Sequence, residues 1–594
     1  MNHETCVERF FKRAKAHPNA NAYFTKKEGS YKPSTWGEVG KQVESFAKGL
    51  IALGLREGQT VAILSYNRPE WLIAALAAQA THGVCAGVYN SCSAEEIAHI
   101  LGHCEAPFIV VENGKRFREQ IKPVLHLLPA LSKVILMEPD DIENSEQLMT
   151  FSQVMEKGSK VTSKILSERT SRIRPEGIAT LIYTSGTTGP AKAVMLSHRS
   201  IYWTVSTCVK MFELTDKDRM ISYLPLAHIA EQMFSLYAPI CTGMQLYFAE
   251  SMEQLPENLK EVRPTLFFGV PRVYEKFHAK ILPKLKSAKG LKAKLLNFSE
   301  KSAQTYWNYE HRNLPVPAMT KAKMSLARKL VFSKLKDLLG FSEVRACVSG
   351  AAPLSKDIIS FFTGLDLPIY EVYGQSEDCG PTTFSAPRAM RLGTVGKPLP
   401  GLQIKIEKDG EVCIRGPNVF KGYLKDEAAT AEALKDGWLH SGDIGHLDSE
   451  GYLCITDRKK DLLITAGGKN ISPQNLEGML KQIPFVNLAV VIGDQKKYLS
   501  ALLTPNHENL KIFAEENKLT SESLADWVRH PQVLSEIQSH IDKINQTLAS
   551  VEQIKKFTLL ASDFSIENGE LTPTMKIKRK VINTRYQEQI EALY

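Results

Sequence analysis

Along the first 170 residues, short apolar runs alternate with segments of helical period: "TVAILSY" (Thr60 to Tyr66), "RPEWLIAALAAQATHG", "VCAGVY", a segment opened by Ser93 with Glu96 three residues on, and "PFIVVE". Such alternation predicts a layered α/β domain with a largely parallel sheet. The polar, weakly patterned "ENSEQLMTFSQVMEKGSKVTSK" reads as a surface excursion. After about Gly393 the pattern changes to short strands separated by Gly, Pro and Asp turns, which predicts a β-rich subdomain. From Asp461 a small α+β unit is expected, with "NLAVVIGD" and "YLSALLT" as strands and "SEIQSHIDKINQTLAS" as a helix. The charged "DRKKD" at Asp457 to Asp461 reads as a hinge centred on Lys460, dividing a large domain over 1–459 from a small mobile one over 460–594.

Composition fits this division. At 594 residues the chain is too long for one ordinary core, and 43% hydrophobic with 23% charged residues is ordinary globular usage. The N-terminal stretch has acidic residues and no apolar core, and Leu72 to Val84 is broken by Gln79, Thr81 and His82, so neither a signal peptide nor a transmembrane helix is expected. Ten cysteines lie far apart with no C-x-x-C pair and no His clustered near them, which argues against zinc and disulfides and for a cytoplasmic protein. The net charge of +9 is uneven: 16 Lys or Arg against 4 Asp or Glu between Arg272 and Asp337 make a local +12, leaving about −3 elsewhere.

One stretch concentrates chemistry. "IYTSGTTGPAKAVMLSH" (Ile182 to His198) crowds hydroxyls, glycines and a lysine between two strand-like flanks, "IATLIY" and "AVML". It is not a Walker A loop, because Lys192 is followed by Ala193 and no helix opens there. Thr184, Ser185, Thr187 and Thr188 offer hydroxyls, Gly186 and Gly189 free the backbone, and Lys192 adds a point charge, so the loop is either a polyphosphate grip or a Ser/Thr-rich surface turn.

Further motifs follow in order: "SYLPLAHIAEQ", "EVYGQSEDCG", "GWLHSGDIG", "DRKKDLLITAGGKNISP" and "LTPTMKIKRK". With the opening loop, this series resembles the adenylate-forming enzymes over nearly the whole chain. "GVPRVYEKF", "VYGQSEDCGP" and "ITAGGKNISP" look most like the long-chain fatty-acyl-CoA synthetases, in particular their bubblegum-like branch.

The resemblance implies that a fatty acid carboxylate attacks the α-phosphorus of ATP to give an acyl-adenylate and pyrophosphate, and that CoA then displaces AMP. It implies that Thr184 to Lys192 hold the phosphates, with Glu377 and Thr188 beside Mg2+. Tyr373, Gly374 and Gln375 would line the adenine, facing Gly350, Ala351 and Ala352, with Ser376 at the α-phosphate. Asp443 and Arg458 would hold the ribose, His228 would stand at the mouth of the acyl pocket, and Lys576 would reach the substrate carboxylate and α-phosphate. Lys576 and the CoA-side loop with Gly467 and Gly468 serve different steps, so the small domain would swing about the hinge.

The chain departs from the family's commoner loop at Ala191, where proline is usual, and at Ala193, where glycine is usual, which leaves the loop's fine geometry open. Phe267, Phe268 and Val348 are candidate acyl-tunnel residues. Two rivals stay in view: an acyl-AMP ligase that hands its acyl group to a carrier protein, disfavoured because no carrier motif follows Tyr594, and an inactive nucleotide-binding homologue, disfavoured by intact Glu377, Asp443, Arg458 and Lys576. No nucleic-acid partner is expected. The basic stretch with interleaved Ile281, Leu282, Leu285, Leu291, Leu295, Leu296 and Phe298 suits an anionic membrane surface, so peripheral membrane association is expected.

Overall fold

The computed structural model describes residues 4–139, 145–184, 190–466, 469–519, 523–572 and 575–594. The predicted alternation folds into a seven-stranded sheet. Its spatial order is Leu148–Thr150, Lys133–Glu138, Phe108–Asn113, Thr60–Leu64, Val84–Val88, Ile178–Thr184 and Lys192–Ser197. The first six strands run parallel and the last returns antiparallel. Ser93 and Glu96 form the expected reciprocal cap on the helix Ala94–Cys104.

The apolar helix Pro69–Ala80 has ten buried residues and lies between layers of the fold. Its polar interruptions find partners: Gln79 donates from its amide nitrogen to the Tyr237 hydroxyl at 2.9 Å, and the Thr81 hydroxyl donates to the carbonyl of Ala78 at 2.7 Å. Among the described residues no helix is long and apolar enough to cross a membrane.

The supposed surface excursion is a structural element. Leu148–Thr150 forms the sheet edge, and the helix Phe151–Gly158, capped by Thr150 and Gln153, packs on the helix Trp36–Ala52. Phe46 and Phe151 stack at 4.0 Å, and a Cβ on Gly49 would meet the carbonyl oxygen of Val154 at 2.1 Å. A single apolar turn seated against a glycine-lined helix leaves little periodicity in the sequence.

A second sheet carries the strands Leu266–Gly269, Ala346–Ser349 and Ile369–Tyr373 in parallel, continued by the short antiparallel strands Thr383–Phe384 and Lys397–Pro398. A third joins Arg219–Ser222 and Gln245–Phe248 to Asn21–Lys27 and Ser30–Thr35. The β-rich part predicted after Gly393 is an antiparallel sheet of Gln403–Ile406, Glu411–Arg415, Trp438–Leu447, Leu453–Arg458 and Leu434–Lys435.

Beyond the short turn Lys459–Asp461, a separate C-terminal unit has its own core. Strands Val486–Ile492, Leu499–Pro505 and Ile554–Leu559 pack with helices that include Pro473–Leu480 and Pro531–Asn545. Polar contacts that join this unit to the large one include Lys481 with Glu275 at 3.6 Å, Arg272 donating to Asn487, and the Ser472 hydroxyl donating to the carbonyl of Thr456 at 2.8 Å.

The basic region is not one amphipathic segment. It comprises the helices Pro271–Lys286 and Leu291–His311, followed by Ala318–Ala327 and Ser333–Leu339. Ile281 is buried and Leu285 and Phe298 pack inward, so of the interleaved residues only Leu291 is fully out, at 82% exposure. Leu314, Met319, Leu326, Leu330 and Leu338 supply further exposed apolar surface. Lys284, Lys286, Lys289, Lys292 and Lys294 are exposed, whereas Lys336 is tied to the buried Asp366 at 2.7 Å.

Candidate active site

The site gathers where the sheets meet the C-terminal unit, around one continuous cavity of about 3030 Å³. Ile178–Thr184 and Lys192–Ser197 pair with Thr184 opposite Lys192, so the hydroxyl-rich loop leaves and re-enters one antiparallel ladder. Ser185, Gly186, Thr187, Thr188 and Gly189 lie outside the described residues, as do Gly467 and Gly468 on the CoA-side loop. Thr184 and Lys192 line the cavity. Lys192 sits 3.4 Å from Asp426, with its ammonium 5.1 Å from the centre of the Tyr423 ring. At the departure from the usual loop, His99 contacts the carbonyl oxygen of Ala191 at 3.1 Å.

The segment 373–380 leaves the end of the strand Ile369–Tyr373 as a tight turn. A Cβ on Gly374 would lie 1.5 Å from the carbonyl oxygen of Gly380, so only glycine fits. The turn is held by Asp378, whose carboxylate accepts from the backbone N–H of Gln375 at 2.7 Å and from the Thr382 hydroxyl at 2.9 Å. Complete burial raises its pKa well above the usual carboxylate range. Asp378 was missed in the sequence because a buried structural acid looks like its neighbour Glu377.

Tyr373 donates from its hydroxyl to Asp443 at 2.8 Å, and Gln375 reaches the carbonyl of Ser441 at 3.4 Å. Arg458 lies opposite Asp443 in the ladder, with Nε 3.2 Å from its carboxylate. Gly350, Ala351 and Ala352 leave the neighbouring strand Ala346–Ser349, and Ala351 holds a left-handed φ of 70°, a conformation alanine adopts only under constraint. Ser376 is buried at the start of the short turn that carries Glu377. Glu377 accepts from the Tyr423 hydroxyl at 2.8 Å, and its carbonyl accepts from the backbone N–H of Phe420 at 2.8 Å.

Lys576 comes from the C-terminal unit, in a turn closed by the Thr572 N–H donating to its carbonyl at 2.8 Å. Water still reaches the side chain. The surrounding cleft walls nevertheless desolvate the ammonium and, with Arg458 nearby, push its pKa down to about 8, while Asp443 and Glu377 pull upward. Arg579 turns away to pair with the buried Glu477, so the basic residues of "MKIKRK" are not equivalent. Lys460, in the turn between the two units, is exposed and close enough to act on Lys576.

His228 accepts the backbone N–H of Ala230 on Nδ1 at 3.1 Å, which assigns the proton of the neutral ring to Nε2. Burial, reinforced by the charge of Lys576, pushes its pKa down to about 4. Three residues on, Glu231 is buried and accepts from the hydroxyls of Ser222 at 2.7 Å and Ser235 at 2.6 Å. Burial pushes its pKa up to about 7, and nothing in the sequence distinguished it from a surface acid.

From His228 the cavity continues along an apolar wall of Val205, Val209, Phe212, Phe234 and Phe268. Phe268 and Val348 line it as expected. Phe267 does not: it is enclosed by Tyr223, Tyr274 and Phe341 in the core, because alternate residues of a strand face opposite sides.

All ten cysteines are free. Strand pairing does place His440 beside Cys413, with Nδ1 3.4 Å from Sγ and Glu407 close by, a proximity that linear spacing hid. Lys405 at 2.5 Å from Glu407 and Lys459 at 3.0 Å from Glu411 already neutralise the carboxylates there.

Comparison with known proteins agrees with this geometry. Residues 10–424 match the AMP-binding enzyme family, and residues 460–594 match the AMP-binding enzyme C-terminal domain. The chain is 39% identical to the long-chain-fatty-acid–CoA ligase ACSBG2 of Xenopus laevis over 93% of this chain and 79% of that protein. It is 33% identical to the long-chain-fatty-acid–CoA ligase FadD15 of Mycobacterium bovis over 100% of this chain and 97% of that one. The fold is shared with the O-succinylbenzoate CoA synthetase of Bacillus subtilis, solved with ATP and magnesium, at a TM-score of 0.68 and 22% identity, covering 96% of this chain and 98% of that one. The chain therefore belongs to the AMP-binding family of adenylate-forming enzymes, in its bubblegum-like branch.

Proposed function

We propose that the protein is an AMP-forming ligase that activates a long-chain fatty acid to its CoA thioester through an acyl-adenylate. The observation that carries this reading is the convergence of Lys576, Glu377, Asp443, Arg458 and Tyr373 on one cavity whose other arm is apolar. The polar end suits a nucleotide and the apolar arm suits an alkyl chain.

In the first step two anions must meet. Asp443 and Arg458 hold the ribose, Tyr373 and Gln375 line the adenine opposite Gly350 to Ala352, and Thr184 and Lys192 receive the triphosphate. Lys576 in its ammonium form bridges the fatty-acid carboxylate and the α-phosphate, so attack occurs without facing bare repulsion. Glu377 fits Mg2+: Tyr423 engages Oε1, leaving Oε2 as a hard oxygen donor, and Mg2+ takes only one or two carboxylates beside phosphate and water. Bound there, the ion would neutralise phosphate charge. Neutral His228 guards the acyl arm with its Nε2–H.

In the second step the CoA thiol attacks the acyl carbonyl and AMP leaves. Lys576 occupies the site in the arrangement described here, so the domain of residues 460–594 rotates on the large domain of residues 1–459 about Lys460 to bring the loop with Gly467 and Gly468 inward. That rotation breaks Lys481–Glu275 and Arg272–Asn487. The lysines between 284 and 294, with the exposed leucines and methionine of the same region, dock the enzyme peripherally on anionic membrane, where its substrate partitions. A panel of carboxylic acids from acetate to long-chain acids, assayed for AMP release with CoA, tests the reading. Activity confined to short acids, or release that requires a carrier protein in place of CoA, would overturn it.

A further inference from the structure

The segment 421–426 crosses the site as a strap. Lys421 N–H donates to Met195 O at 2.9 Å, Met195 N–H to Gly422 O at 3.0 Å, and Leu424 N–H to Ala193 O at 2.9 Å, so the strap pairs with the strand that begins at Lys192. At its centre, the Tyr423 backbone N–H donates to the Thr430 hydroxyl at 2.9 Å, and its ring meets Phe420 edge-on at 5.0 Å. Both ends of this side chain are engaged. The hydroxyl donates to Glu377 Oε1 at 2.8 Å, and the face of the ring lies 5.1 Å from the ammonium of Lys192.

Glu377 stands in the turn Ser376–Asp378 and Lys192 opens the strand Lys192–Ser197, 185 positions apart; Asp426 at 3.4 Å is a second partner of Lys192, and Tyr423 links Lys192 to Glu377. Tyr423 is rigid, half-buried and fixed by its backbone to the strand of Lys192. We propose that Tyr423 is a positioning residue for adenylation: one aromatic side chain orients the Glu377 carboxylate through its hydroxyl and steadies Lys192 through its ring, setting the spacing between the acid and the cation that flank the triphosphate. A hydroxyl donor on one carboxylate oxygen leaves the other aimed outward as a metal donor, as supporting groups behind a ligand generally do. The ring face attracts the ammonium without neutralising it, so this contact orients Lys192 without competing for its charge as the neighbouring Asp426 carboxylate does.

This inference rests on the reading of Glu377 as the metal-side acid. Calorimetric titration of the whole protein with ATP, once in Mg2+ and once in EDTA, separates the two. Tyr423→Phe keeps the ring and loses only the hydroxyl. It is expected to weaken binding of Mg·ATP by about 5- to 20-fold while changing metal-free ATP by less than about twofold, and to add nothing when combined with Glu377→Gln. Glu377→Asp, which withdraws the carboxylate from the hydroxyl, should reproduce the loss. Formation of thioester from supplied acyl-adenylate by the same preparation verifies that the variant is folded. Unaltered Mg·ATP affinity in Tyr423→Phe, an equal loss with and without metal, or additivity with Glu377→Gln would overturn the inference. A wild-type protein that binds ATP equally well in Mg2+ and EDTA would overturn the reading beneath it.

Discussion

Arg458 holds Asp443 across the last paired position of its ladder, Nε to Oδ1 at 3.2 Å, while the Tyr373 hydroxyl donates to the other oxygen at 2.8 Å. The carboxylate is thereby fixed with both oxygens in register before any nucleotide arrives. Hydrogen bonds to a charged group are worth about 1.5–3 kcal/mol each. Asp443→Asn should therefore raise the KM for ATP by about ten- to a hundredfold, with a smaller effect on the KM for fatty acid. Initial rates with each substrate varied in turn give both constants, and equal change in the two would deny Asp443 a nucleotide role.

Gly374 has a purely steric part. A methyl group there has nowhere to go within 1.5 Å of Gly380 O, so Gly374→Ala must displace the turn that carries Gln375, Ser376 and Glu377. The expected outcome is loss of ATP binding with a melting temperature lowered by only a few degrees, since about 1–3 kcal/mol of local strain is small against the whole fold. Wild-type ATP affinity in a folded Gly374→Ala would contradict the turn geometry.

The pH profile separates the two steps. Lys576 works as a cation, and its pKa is lowered to about 8, so in the free enzyme the working form predominates below about pH 8 and is lost as pH rises through it. The kcat/KM of adenylation should fall above that value, and thioester formation from supplied acyl-adenylate should lack that limb. His228, neutral from about pH 4 upward, contributes no inflection near neutrality. A shared alkaline limb in both half-reactions would assign it to another group.

On vesicles, exposed lysines near anionic lipid contribute roughly 1 kcal/mol apiece. Changing Lys284, Lys286, Lys289, Lys292 and Lys294 to Gln should abolish sedimentation with anionic vesicles at physiological salt and leave activity on detergent-dispersed fatty acid intact. Binding to vesicles that ignores both lipid charge and salt would refute the docking surface.

Much of this architecture was legible because local signals and global fold coincide. The Ser93–Glu96 cap, the apolar runs at Thr60 and Val84, and the turn-rich sequence after Gly393 each name their own element. What stayed hidden depends on partners far along the chain. Phe267 and Phe268 read alike, and only the pleat assigns one to the core and one to the cavity. Tyr423 looks like any strand aromatic until its hydroxyl meets Glu377, 46 positions earlier. Cys413 and His440 become neighbours only through strand register. The helix Phe151–Gly158 escaped notice because its single apolar face is short and its closest approach is to a glycine. The choice of Lys576 among neighbouring basic residues drew on motif context, and the geometry adds a physical contrast: Arg579 has a buried acid of its own, while Lys576 faces the cleft.

The central claim is that Lys576 serves the first half-reaction and must leave the site for the second. Lys576→Ala, assayed separately for pyrophosphate release from ATP with fatty acid and for thioester formation from supplied acyl-adenylate with CoA, tests it most directly. Adenylation should fall by about a hundred- to a thousandfold, as expected when a donor aimed at developing charge is removed, and the thioester step should proceed within a few-fold of wild type. Equal loss of both half-reactions would contradict the claim and make Lys576 a structural residue.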